Sequence, residues 1–236
     1  MGEKTIKEHV INYAKNKYYF HINDLKEYFI ERKFKYKKSS LKQSLYLFKK
    51  EKLIYEAGKG WYSTIKEKFE LDKSPLRKIA KLIKNKFPLL KFSCWTTKQL
   101  KTFFHHLPNQ FVTFVYSDKD SLQFLKDHLT ENGYNVYLNP IKSETKKYVE
   151  LYNRTIILRP SISYREPKTQ YWAKIEKIIV DLYMETKKVN LIDMEEYKKI
   201  MSNIILNYRI NIAEMFDYAH NRKVEDRIQN IMEGIC

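Results

Sequence analysis

The sequence predicts a mixed α/β (α+β) protein in two parts: an N-terminal winged helix-turn-helix, then a mixed α/β sheet domain with a C-terminal helical segment. Three observations predict it. A basic tract, a helical pattern and a glycine-turned hairpin follow one another between Arg32 and Tyr62. Strand-like apolar runs then alternate with helical stripes over residues 89–159, and helical spacing takes over beyond Pro167.

In the first part, Ile6, Val10 and Tyr13 recur at helical spacing. Leu25, Tyr28 and Phe29 mark a second helix for which Asn23 is the expected cap. Over residues 32–52 nine Lys and Arg face one acid, Glu51, an excess of about eight positive charges that seeks a polyanion. Ser39 or Ser40 is expected to cap the third helix, because a hydroxyl accepts a hydrogen bond from an unpaired first-turn amide. Leu41, Leu45 and Phe48 give that helix its buried face. Lys42, Gln43, Tyr46 and Lys49 fall on the other faces, where a recognition helix carries the side chains that touch base edges and phosphates. Leu53, Ile54 and Tyr55 read as a strand, Gly58-Lys59-Gly60 as a turn and Trp61 with Tyr62 as the returning strand, so a lysine tips the wing. This DNA-binding domain spans residues 1–68.

Residues 69–236 form the second domain. Residues 66–88 read as helical and basic, with Leu76, Ile79, Ala80 and Ile83 as the apolar stripe and Phe87-Pro88 as the stop. Residues 89–95 predict a strand, 96–105 a helix and 111–116 a strand. Ser117 and Asp120 match a capping box for a helix striped by Leu122, Leu125 and Leu129, and Gly133 sits where a left-handed C-terminal cap belongs. Residues 134–138 resume as a strand, and the short joints imply right-handed crossovers and a parallel portion of sheet. Residues 147–152 and 155–159 add two strands, read as a hairpin turning near Asn153 and Arg154, which makes the sheet mixed. Trp172, Ile175, Ile179 and Leu182 open the helical segment. Ile200, Ile204 and Tyr208, then Ile212, Met215 and Phe216, and finally Ile228 and Ile231 mark three more helices.

Lys+Arg 45 against Asp+Glu 28 gives a net charge of +17, enough to attract nucleic acid non-specifically at low salt. In residues 1–72 the counts are 17 and 10, so most of the excess lies beyond the DNA-binding domain. Lysine greatly outnumbers arginine, and Asn, Ile and Tyr are abundant, a bias that AT-rich coding sequence produces by itself. Local clustering therefore carries more weight than the total. No run of 18 apolar residues exists, so no membrane span is expected. Met1-Gly2-Glu3-Lys4 leads into an amphipathic helix instead of an apolar signal-peptide core, and Cys94 and Cys236 are too few for a disulfide framework or a four-thiolate zinc site. A cytoplasmic protein is expected.

An enzymatic alternative is a metal-dependent nuclease delivered by the winged helix. Asp118 and Asp120 follow a predicted strand, where open α/β sheets place active sites, with Thr96, Thr97, Ser117 and Asn139 expected along the same edge. Phe92-Ser93-Cys94-Trp95 adds no acid, and Asp120 is better placed as a helix-capping residue. Glu144-Thr145-Lys146 has a nuclease-like spacing but reads as a solvated loop, and His105-His106 reads as a helix end. Glu176, Asp181 and Glu185 share one predicted helix, solvated or ion-paired with Lys174, Lys177 and Lys187. Trp61, Trp95 and Trp172 read as core. Phosphate-cradling glycine motifs and the nucleophile elbow are missing from the sequence, so the expectation is a non-enzyme without a cofactor. A third reading is a transcription regulator whose sheet edge binds a small ligand.

The segment Leu53-Ile54-Tyr55-Glu56-Ala57-Gly58-Lys59-Gly60-Trp61-Tyr62-Ser63 resembles the end of the winged helix in AbiEi-type antitoxins of type IV abortive-infection toxin-antitoxin pairs. Ile175-Glu176-Lys177-Ile178-Ile179-Val180-Asp181-Leu182 is similar to that family's C-terminal helix opening, and Tyr218-Ala219-His220-Asn221-Arg222 to its late helix. The resemblance implies an autorepressor that binds inverted repeats in double-stranded DNA at its own promoter, and whose C-terminal domain counters a nucleotidyltransferase-like toxin. No membrane partner is expected, since the sequence has no run of 18 apolar residues. Lys37, Lys38, Lys42, Gln43, Lys49 and Lys59 are the positions the resemblance marks for DNA contact, and Ser39 and Tyr46 on the same helix are added as candidate contacts from the residue pattern. The exposed sides of helices beginning near Trp172 and Arg222 are where antitoxin activity is expected.

Overall fold

The computed structural model describes residues 5–15, 17–108, 110–141, 154–162, 165–189 and 191–235. The N-terminal part runs α1 (Ile6–Ala14), β1 (Tyr19–His21), α2 (Ile22–Glu31), α3 (Lys38–Lys50), β2 (Tyr55–Glu56) and β3 (Trp61–Ser63). Thr5 and Glu8 close a reciprocal cap on α1. His21, not Asn23, caps α2: its Nδ1 accepts from the Asn23 N–H, while Asp24 accepts from the His21 N–H. The start of α3 also departs from expectation, because Ser39 and Ser40 lie inside the helix and Lys37 precedes it without a side-chain cap. The three helices bury Val10, Leu25, Phe29, Leu41, Leu45 and Phe48 in one small core. Each such Leu or Phe stabilises the fold by about 1.5–3 kcal/mol.

Two strands were expected in this part; there are three, ordered β1-β3-β2 and antiparallel throughout. The β2–β3 turn uses Gly58 at φ +109° and Gly60 at φ +78°, a region glycine enters without a Cβ clash. Residues 64–73 contain no α-helix, so the helix expected over 66–88 is shortened to α4 (Arg77–Lys86), entered through a 3-10 turn at Ser74–Leu76.

The second part is built on a mixed sheet with strand order β6-β7-β5-β4-β9-β8. Its strands are β4 (Phe92–Thr96), β5 (Thr113–Ser117), β6 (Asn135–Leu138), β7 (Thr155–Pro160), β8 (Lys168–Thr169) and β9 (Trp172–Ala173). β7 is parallel to both β5 and β6, and β4 is antiparallel to β5. The last pairing departs from a continuous crossover series. Residues 97–103 form a 3-10 helix instead of an α-helix, and the chain returns beside the strand it has just left. β7 lies between β5 and β6, so it is not the return arm of a hairpin with its neighbour there; residues 147–152 lie outside the described residues.

Side chains alternate across the pleat. Cys94, Val115, Ile156 and Leu158 face α4 and α5 (Leu122–Glu131); Trp95, Phe114, Tyr116 and Ile157 face the C-terminal helices. α5 starts at Leu122 after a 3-10 turn, so Ser117 and Asp120 form no capping box, while Gly133 does take φ +75° just past its end. The C-terminal helices are α6 (Ile175–Lys188), α7 (Met194–Asn207), α8 (Ile212–Asn221) and α9 (Glu225–Glu233). Trp172 sits in β9, not in the helix expected there. Among the described residues no helix is long and apolar enough to cross a membrane.

Cys94 is buried on β4, its Sγ within 3.4 Å of the Tyr171 carbonyl oxygen, and burial pushes the thiol up. A thiolate-seeking reagent is therefore expected to leave Cys94 untouched in the native protein and to modify it rapidly in denaturant, as read by mapping the peptide that contains it. Equal rates in the two conditions would refute this.

The two parts share a joint. The segment from Tyr208 to Ala213 runs between the β2–β3 hairpin and residues 65–69. The Tyr19 hydroxyl donates to the Tyr208 carbonyl at 2.6 Å and accepts from the Ile210 N–H at 3.0 Å. Arg209 donates to the carbonyls of Ile65 and Lys66 and lies 4.6 Å from the Tyr55 ring centre. The Ile212 N–H donates to Ala57, and Trp61 meets Phe216 edge-on at 5.6 Å. Tyr19 and Ala57 thereby join the core of the second part.

Candidate nucleic-acid interface and a buried charge cluster

On α3, burial of Leu41, Leu45 and Phe48 turns Ser39, Gln43, Tyr46 and Lys50 straight outward, four positions one helical turn or so apart. Tyr46 is 62% exposed. Lys38 and Lys42 flank the stripe, and Lys37 precedes it, all exposed. The structure thus brings seven of the tract's polar side chains onto one convex face. Lys49 sits at its margin, half-buried and paired with Glu56 at 3.3 Å, which leaves it less free for a phosphate. Lys50 is a residue that sequence reasoning counted in the charge but did not select; the angular position opposite Leu41 and Phe48 would have found it.

Lys59 is exposed, but the turn that carries it is seated against α8. A Cβ on Gly58 would run into Asn211 Oδ1 and lie 2.7 Å from Ala213 Cβ. The hairpin tip is therefore engaged with the second part of the chain, and Lys59 stands beside that contact.

The sheet edge is rearranged relative to expectation. Because β4 is antiparallel to β5, Thr96 and Thr97 lie at the opposite end of the sheet from Ser117 and Asp118. Asn139 does follow the same edge as Asp118, but its side-chain oxygen accepts from Arg159 Nη1 at 3.1 Å. An open cleft of about 820 Å³ there is lined by Asp118, Ser161, Glu166, Lys84, Lys168 and Tyr171, among others. Among the described residues no three His, Cys, Asp or Glu side chains come together as a metal site. Glu144-Thr145-Lys146 lies outside the described residues. The backbone N–H groups of His105 and His106 both donate to Glu196 Oε1, tying that loop to α7.

The acids of α6 overturn the solvated reading. Asp181 and Glu185 are fully buried and Glu176 nearly so. Lys177 Nζ, also fully buried, lies 2.8 Å from Asp181 Oδ2, 3.0 Å from Glu166 Oε2 and 2.8 Å from the Tyr218 hydroxyl, and 3.7 Å from the Tyr116 ring centre. Tyr218 donates to Asp181 Oδ1 at 2.8 Å, and Arg222 Nη2 approaches the same oxygen at 3.7 Å. A few residues along, Arg159 grips Glu185 with two parallel bonds of 3.0 and 2.6 Å and donates to the Pro140 carbonyl at 2.7 Å. Burial, reinforced by the nearby Asp181 charge, pushes the Tyr116 and Tyr218 hydroxyls far above the usual tyrosine range. Burial also raises the Glu176 carboxyl, against the bond it accepts from the Asn211 N–H. Of the partners expected from sequence only Lys177 is used here: Lys174 pairs with Glu214 and Lys187 donates to Tyr183. The cluster ties α6 to β5, α8 and residue 166, with Lys177, Asp181 and Glu185 fully buried and Glu166 at the margin of the open cleft.

α6 is buried along most of its length and is exposed only near its end, at Lys187; α9 keeps an exposed side with Asp226, Arg227, Gln229 and Asn230. Trp95 is wholly buried, and Trp61 and Trp172 are half-buried against neighbouring aromatics.

No curated protein matches the sequence. A family model does, starting inside α3 and running through the hairpin and the whole α/β part, which are the elements the joint holds together. With residues 40–236 matched, the chain belongs to DUF6577, a family of unknown function.

Proposed function

We propose that this protein is a DNA-binding antitoxin and transcriptional autorepressor of a type IV toxin-antitoxin operon, acting in the cytoplasm against a nucleotidyltransferase-like toxin. The observation that carries the DNA-binding half is the outer face of α3, where Ser39, Gln43, Tyr46 and Lys50 form a stripe bordered by Lys37, Lys38 and Lys42. A helix reads base edges with such a stripe while flanking lysines hold the backbone. The order of helices and the antiparallel hairpin that follows α3 support reading residues 1–68 as a winged helix-turn-helix. The antitoxin half rests on the resemblance to AbiEi-type antitoxins, and among the helices it marks, α9 retains an accessible side.

The test is binding of the full chain to its own upstream promoter and to a scrambled duplex of equal length at near-physiological salt. A preference of about 100-fold, roughly 2.7 kcal/mol, is expected; equal weak binding would overturn the reading. Replacing Lys37, Lys38 and Lys42 with alanine should weaken binding to both duplexes and flatten the salt dependence by about 0.9 log units for each phosphate no longer neutralised. The open cleft beside Asp118 and Ser161 favours one second reading, a ligand-responsive regulator. A small molecule that raises Tm and shifts operator affinity would support it.

A further inference from the structure

β5 and β7 run parallel and end together, Ser117 beside Pro160, and the Ser161 N–H donates to the Ser117 carbonyl at 2.7 Å. The carboxyl end of parallel strands is where open α/β sheets take their ligands. The cleft of about 820 Å³ beside Asp118 and Ser161 opens at that end, within the roughly 300–1,000 Å³ usual for small-molecule sites. Its walls carry three kinds of group, each suited to a different part of one molecule.

The first is an aromatic plane. Tyr171 is half-buried and lies parallel to the buried Phe92 ring, at 5.3 Å and 11°; its carbonyl accepts from the Cys94 N–H at 2.9 Å, so the ring is fixed to β4 before any ligand arrives. The second is cationic. Among the described residues three lysines line the cleft, Lys84, Lys91 and Lys168, against two acids, Asp118 and Glu166. Lys84 donates to the Pro88 carbonyl, a neutral acceptor. Glu166 is taken by Lys168 on one oxygen at 2.8 Å and by the buried Lys177 on the other at 3.0 Å, so the walls keep a positive excess. The third is the Asp118 carboxylate, exposed, which precedes a 3-10 turn without capping it.

We propose that the cleft binds a mononucleotide, with its base stacked on Tyr171, its phosphate against Lys84, Lys91 and Lys168, and its ribose hydroxyls donating to Asp118. Stacking on an aromatic ring suits any base, because each has a π-face. Lysine meets phosphate as a point charge, and a carboxylate beside a phosphate site takes ribose hydroxyls in dinucleotide folds. A sugar phosphate would leave the Tyr171 ring unused, and an apolar ligand would bury the lysines without a counter-charge. The inference rests on the reading of this cleft as a ligand site and is separate from DNA contact by α3.

Its test is isothermal titration of the full chain with AMP, GMP, CMP and UMP at near-physiological salt, beside adenosine, ribose 5-phosphate and inorganic phosphate. At least one nucleotide is expected to bind about 10-fold or more tighter than adenosine and ribose 5-phosphate alike. If none does, the inference is overturned. For the tightest nucleotide, Tyr171→Ala should weaken binding about 5- to 100-fold and Tyr171→Phe by less than about twofold, since only the first removes the stack. Lys84→Gln, on a different wall, should weaken it roughly 10-fold. Unchanged affinity in either Tyr171→Ala or Lys84→Gln, each with native circular dichroism, would overturn the site. Replacing Lys37, Lys38 and Lys42 should leave nucleotide affinity intact; its loss there would place the nucleotide on α3 and overturn the inference too. Failure of the ligand-responsive reading looks different: the nucleotide would bind the cleft, and operator affinity would stay the same at saturation.

Discussion

Asp181→Ala is expected to lower the unfolding free energy by about 3–5 kcal/mol, as breaking a buried ion pair from one side does. Asp181 takes the Lys177 ammonium on one oxygen and the Tyr218 hydroxyl on the other, with Arg222 beyond. Removing it leaves Lys177 with Glu166 as its one carboxylate partner among the described residues and takes away the carboxylate nearest Arg222 Nη2. An unpaired buried charge costs more than the pair contributes. Urea unfolding of the variant reads the loss as a lower midpoint. Replacing both members, Lys177→Met with Asp181→Leu, should cost less than Asp181→Ala, because no charge is then left alone. A single-variant loss under about 1 kcal/mol would show that water reaches the cluster.

Gly58→Ala is expected to cost about 2–5 kcal/mol. A left-handed residue with a Cβ costs about 1–2 kcal/mol, and forcing a methyl into a packed contact adds about 1–3 kcal/mol. At φ +109°, with Asn211 and Ala213 against the new methyl, both terms apply. Adding Ala213→Gly should recover part of the steric term and none of the backbone term. Lys59→Ala, next to it in the same turn but solvent-facing, should change stability by less than about 0.5 kcal/mol. If Gly58→Ala melted with the parent, the hairpin would not be seated on α8.

Much of this architecture could be read from residue spacing because the spacing is set by burial. The apolar stripes read in α3, α4, α5 and α8 enter the cores, as do Ile175, Ile179 and Leu182 of α6 and Ile200 and Ile204 of α7. Strands β1, β8 and β9, two or three residues long and without a glycine turn like the one that marks β2 and β3, carry too few residues for a period. The antiparallel return of β4 was hidden for a related reason: residues 97–103 have a helical pattern but wind as a 3-10 helix. The exposed stripe of α3 was legible apart from Lys50, whose angular position had to be followed around the helix. The buried acids of α6 were not legible. A solvated and a sealed Asp181 look alike in sequence, and what seals it comes from Tyr116, Glu166, Tyr218 and Arg222, far apart along the chain.

The joint at Tyr19 also sets an order of events in synthesis. Its bond to Tyr208 spans 189 residues, and the docking surface of Ala57 and Trp61 is completed by Ile212 and Phe216. As the chain leaves the ribosome, the first three helices can gather their own core early. The sheet beside them must wait, one face bare, until nearly the last two helices have emerged. Contacts of such long range slow the final docking step relative to local folding. A nascent chain halted before residue 208 would therefore present Tyr19, Ala57 and Trp61 to whatever holds unfinished proteins.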